Sequence, residues 1–107
     1  MQNARIKKIV EAEFNEFASQ KALNWIKPRL EKPEKKILHW EYGNQEAYIA
    51  WIVADMGERN VVAVYCEEGG FGAMGAPWGI VFRNETNFGM DCGWYKNFEQ
   101  LILDGWI

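Results

Sequence analysis

The chain has 107 residues, of which 49% are hydrophobic and 25% charged, with a net charge of −3. That balance excludes a disordered tail, and the length fits one domain over residues 1–107. No apolar run approaches the roughly 18 residues of a membrane span, and the charged start MQNARIKKIVEAEF does not read as a secretory leader. The expected setting is therefore cytoplasmic, without membrane contact, and the two cysteines are expected to be reduced thiols.

The net charge hides an asymmetry. Residues 1–36 carry nine Lys/Arg and five Asp/Glu, whereas residues 37–107 carry three and ten. An acidic body disfavours nucleic acid as the main partner and suits a basic protein surface.

In chain order, Ile6, Ile9, Val10, Phe14, Phe17 and Ala18 recur at helical spacing, with Arg5, Lys7, Lys8, Glu11, Glu13 and Glu16 on the other side. This predicts an amphipathic helix over about residues 3–18, capped by Asn3. Over residues 19–26 either the same helix continues or a new turn begins at Ser19. Residues 27–36 read as a basic linker broken by Pro28 and Pro33. Strands are expected at Ile37–Tyr42, Ala47–Ala54, Val61–Cys66, Trp78–Arg83 and Phe88–Trp94. A turn at Gly43-Asn44, the loop Asp55–Asn60 and a turn over Asn84–Asn87 join successive strands. Asn97 should cap a short helix with the apolar stripe Phe98, Leu101 and Ile102, ended by Gly105. The predicted class is α+β: an N-terminal amphipathic helix, a five-stranded antiparallel meander and a short C-terminal helix.

Two of those strands, AYIAWIVA and VVAVYC, are apolar on both faces. One long helix covers one face only. The other is expected to be a ligand groove, a partner site or a face that pairs two copies of the chain.

The segment EEGGFGAMGAPWG from Glu67 to Gly79 holds five of the ten glycines. Gly70 to Gly75 spells G-x-G-x-x-G, but no helix opens behind it to hold a pyrophosphate, and two glutamates precede it, so nucleotide binding is not expected. Cys66, Cys92, His39 and Asp91 contain the residue types of a thiol nucleophile system without a spacing that assembles one. Cys66, in an apolar run, reads as core. Two Cys and one His without close spacing give no zinc signature, and no cofactor is indicated.

Glu67, Glu68 and Asp91 supply negative charge, and Phe71, Trp78, Trp94 and Tyr95 supply aromatic anchors, for a surface that would dock a basic protein. Glu67-Glu68, the loop ending Ala76-Pro77-Trp78-Gly79, and Cys92-Gly93-Trp94-Tyr95 before the last helix give the chain a style that resembles the small immunity proteins of bacterial toxin systems. The resemblance is one of architecture and implies a non-catalytic protein that binds and neutralises one toxin domain. The competing expectation is a small enzyme or ligand-binding protein with a pocket under the glycine-rich loop, near Glu67, Asp91 and Cys92.

Overall fold

A computed structural model describes residues 2–40, 46–58, 60–68, 74–88 and 93–107. Helix α1 (Gln2–Asn15) is followed by α2 (Gln20–Ile26), a single 3-10 turn (Lys27–Arg29), and strands β1 (Leu30–Trp40), β2 (Ala47–Asp55), β3 (Val61–Tyr65) and β4 (Trp78–Phe82). Two-residue strands β5 (Asn87–Phe88) and β6 (Trp94–Tyr95) precede α3 (Phe98–Leu103). The class is α+β.

Strands β1, β2, β3, β4 and β6 lie side by side in chain order, each antiparallel to the last. This is the expected five-strand meander, with a sixth strand added, because β5 pairs parallel with His39 and Trp40 on the outer side of β1. The expected fifth strand, Phe88–Trp94, thus has its two ends on opposite edges of the sheet; residues 89–92 lie outside the described residues.

The connection behind this split also bends the sheet. Phe82 and Asn87 are five Cα steps apart, at most about 18 Å of chain, whereas four inter-strand spacings in a flat sheet need about 19 Å. The sheet must curl to let Arg83–Thr86 cross it. Lys36 Nζ donates to Arg83 O (2.7 Å), His39 N–H donates to Thr86 O (2.6 Å), and the Arg83 guanidinium pairs with Glu31 (2.7 Å) and Asp55 (3.3 Å).

The segment read as a linker, residues 27–36, is mostly strand. Pro33 has no N–H to give a ladder, which an edge strand tolerates. The register steps from Leu30↔Ala54 to Glu34↔Ile52, so a bulge absorbs Glu31, Lys32 and Pro33. Ser19 starts a separate helix, its Oγ accepting from Ala22 N–H at 3.1 Å. Asn3 is not a cap. It lies inside α1, and its amide donates to Pro33 O (3.0 Å), fastening the helix to the bulge.

All three helices lie on one face of the sheet. Ile6 and Val10 of α1, Ala22 and Ile26 of α2, and Phe98, Leu101 and Ile102 of α3 pack on Trp51, Val53, Val61, Ala63 and Trp78. The reverse face is not an open apolar surface, contrary to the sequence expectation. Leu38, Ala50, Val62, Val64 and Cys66 are fully buried there within a single chain, joined by Ile52 and Val81, with Tyr48 and Trp94 packed against them.

Two reciprocal caps tie the helices together. Phe98 N–H at the start of α3 donates to Glu13 Oε1 of α1 (2.7 Å). Ala18 and Ser19 N–H, leading into α2, both donate to Glu99 Oε2 of α3 (2.8 and 2.6 Å). Each carboxylate satisfies backbone donors that a helix start leaves without partners. Asn97 caps α3 as expected, accepting from Gln100 N–H (2.9 Å).

Candidate functional site

The connection between β3 and β4 leaves one end of the sheet. Its base is closed by Cys66 N–H donating to Pro77 O (2.8 Å). Tyr65 pairs with Trp78 and Trp78 with Tyr95, while Val64 pairs with Gly79 and Gly79 with Trp94. Glu67, Glu68, Trp78, Trp94 and Tyr95 are therefore gathered at this end. Phe71, Asp91 and Cys92 lie outside the described residues.

The gathered residues do different work. Trp78 is 2% exposed and stacks on Phe98, so it is a core residue and not a docking anchor. A large aromatic on the helix-covered face of a central strand has nowhere to go but inward. Tyr95 is half-buried and donates from its hydroxyl to Asp104 (2.5 Å), tying β6 to the end of α3. Burial, then Asp104, pushes its phenol up to about 12.

Glu67 is also committed. It accepts from Tyr65 Oη (2.8 Å) and pairs with Arg5 of α1 (2.7 Å), closing the helix onto the strand end. The Arg5 guanidinium is the main influence holding the Glu67 carboxyl below the usual carboxylate range. Burial, then Glu67, pushes the Tyr65 phenol up to about 12.

Glu68 is exposed, and Trp94 is half-buried on the reverse face, across Gly79. Met74, which the sequence reading passed over, is 71% exposed on this connection. An exposed thioether chain is an adaptable contact surface. Its glycine-rich surroundings carried the only signal that could have singled it out.

The structure does not assemble the thiol nucleophile system from its described members. Cys66 is fully buried on the reverse face, whereas His39 lies exposed on the alternate register of β1. Beside Glu67 and Glu68, Arg5, Ile49 and Trp51 enclose a cleft of only about 50 Å³, room for a few waters. Among the described residues there is no group of three or more His, Cys, Asp or Glu placed to hold a metal ion, and no helix long and apolar enough to cross a membrane.

Another concavity lies elsewhere among the described residues. A groove of about 610 Å³ runs between α1 and the bulged start of β1. Val10, Phe14, Leu30, Pro33 and Val53 form its apolar lining, and Lys7, Glu11, Glu31 and Lys32 its charged borders. No sequence pattern marks it, because it depends on a bulge inside a segment that reads as a linker.

Comparison with known protein families, curated protein sequences and solved structures found no match to this chain.

Proposed function

We propose that the protein is a non-catalytic, cytoplasmic binding protein that captures a basic protein partner at the end of the sheet where Cys66 and Pro77 close the connection between β3 and β4. Neutralising a toxin domain, as small immunity proteins do, is the role this reading fits.

The observation that carries it is the exposed pair Glu68 and Met74 on a connection clamped at its base by Cys66 and Pro77. A rigid base with a carboxylate and an exposed apolar side chain on its connection supplies steering charge and desolvated contact in one place. Glu67 contributes less charge than the sequence implied, since Arg5 neutralises it. Trp94, across Gly79 on the reverse face, is an aromatic among the described residues for the partner to bury.

The test is a photo-cross-linking amino acid at position 68 in living cells, with the same residue at exposed position 85 as control. Expected is an adduct to one basic protein from position 68 alone, weakening as salt rises. Equal adducts from both positions, or none from 68, would overturn the reading.

A further inference from the structure

We propose that the groove between α1 and the bulged start of β1 is a binding site for a medium-chain aliphatic carboxylate, independently of any protein partner at the far end of β3. The groove exists because of an irregularity. Three residues, Glu31, Lys32 and Pro33, are squeezed between the paired positions Leu30↔Ala54 and Glu34↔Ile52, and all three line it. Bulges re-aim side chains and recur next to binding sites. Asn3, also in the lining, ties α1 to the bulge by donating to Pro33 O (3.0 Å).

The floor is apolar and deep. Val53 is 1% exposed and Val10 6%, with Phe14 and Leu30 half-buried beside them. A volume of about 610 Å³ falls within the range that holds small organic ligands, and a chain of about ten carbons fits inside it.

The borders choose the head group. Lys7 stands on α1 and Lys32 on the bulge, both exposed and in no ion pair among the described residues. Glu31 is engaged by Arg83, which it shares with Asp55, leaving Glu11 as the lining carboxylate outside an ion pair among the described residues. The available charge is thus two ammoniums against one carboxylate. An anionic head with an apolar tail satisfies both the floor and the border, whereas a cationic amphiphile would meet the lysines. The bound acid would lay its chain along Val10, Leu30 and Val53 and hold its carboxylate between Lys7 and Lys32.

The test titrates octanoate, decanoate and dodecanoate, each below its micelle concentration, against the 15N-labelled protein. Expected is saturable one-site binding, with shifts centred on Val10, Phe14 and Val53. Affinity should rise by roughly fourfold per added methylene while the chain still finds apolar lining. Reversing both lysines, Lys7→Glu with Lys32→Glu, should weaken decanoate by about tenfold and leave decanol unchanged. Ala4→Trp, at an exposed position on the groove, should block both ligands. Shifts scattered over the surface without saturation, or decanoate binding indifferent to the lysine reversal, would overturn the proposal. Because these substitutions are at exposed positions, the native spectrum serves as the folding control, and the lysine pair decides the matter if Ala4→Trp disturbs the helix.

Discussion

Trp78 of β4 and Phe98 of α3 stack with ring centroids 4.7 Å apart and planes 5° from parallel. Phe14 of α1 stacks on the other neighbour of the set, its centroid 6.2 Å from Phe98, so the sheet, the last helix and the first helix meet through one file of rings. Trp78→Ala should therefore cost about 3–5 kcal/mol of unfolding free energy, as core truncations of aromatics do. Urea denaturation measures it. A loss below about 1 kcal/mol would place Trp78 outside the core, against its burial.

Gly79 carries a different constraint. A Cβ built there would stand 2.5 Å from Cζ3 of the Trp94 indole, with two further ring atoms within 2.7 Å. Gly79→Ala must push the indole off its seat on the reverse face. The expected cost is about 1–3 kcal/mol, with a changed near-ultraviolet circular dichroism signal. An unchanged spectrum and full stability would show that Trp94 is not held over the glycine.

The caps that Glu13 of α1 gives to α3 and Glu99 of α3 gives to the start of α2 can be separated by substitution. Glu99→Ala leaves the Ala18 and Ser19 N–H groups without their acceptor and should cost about 1–2 kcal/mol, while Glu99→Gln, which keeps an acceptor oxygen, should cost less. Glu13→Ala should cost about 1 kcal/mol by orphaning Phe98 N–H. Equal effects of Glu99→Ala and Glu99→Gln would show that charge, and not the hydrogen bonds, holds this corner.

Alkaline stability follows from two phenols. Tyr65 and Tyr95 ionise near pH 10 when unfolded but at about 12 in the fold, chiefly through burial. Between pH 10 and 12 the folded chain keeps protons that the unfolded chain has released. Stability should be full below pH 10 and fall as pH rises through that window. Absorbance at 295 nm should show tyrosines titrating late, and Tyr95→Phe should shallow the fall in the urea midpoint. An identical slope in the variant would remove Tyr95 as a cause. On the acid side the sign reverses. Glu67, held low by Arg5, contributes stability above the ordinary carboxylate range that is lost as pH falls through its depressed folded value.

How far the fold could be read from the chain depended on local signals. The stripe from Ile6 to Phe14, the apolar runs of β2 and β3, and the cap at Asn97 each carry their own periodicity or turn chemistry, and each forms its expected element. The start of β1 could not be read that way. Pro33 and its lysines mimic a linker, and the bulge there breaks the period-2 alternation that would have marked a strand. Strands β5 and β6 are two residues long, too short for any pattern, and β5 pairs with a strand met almost fifty residues earlier. At the candidate site, charge and aromatic content singled out one end of the sheet, yet composition cannot say whether a Trp faces inward. Trp78 does, and Glu67 spends its charge on Arg5.

The exchange of caps between Glu13 with Phe98 and Glu99 with Ser19 also sets an order of events. These bonds join residues 80 to 85 positions apart, so none can form until the stretch around residue 98 has been made. Until then Phe14 and Trp78 have no ring between them, and the helix-side core is left without Phe98, Leu101 and Ile102. A nascent chain would carry α1 and most of the sheet in an unclosed state until that stretch is made, relying on long-range contacts to complete it. The helix-side core closes where the stretches around residues 13 and 98 meet.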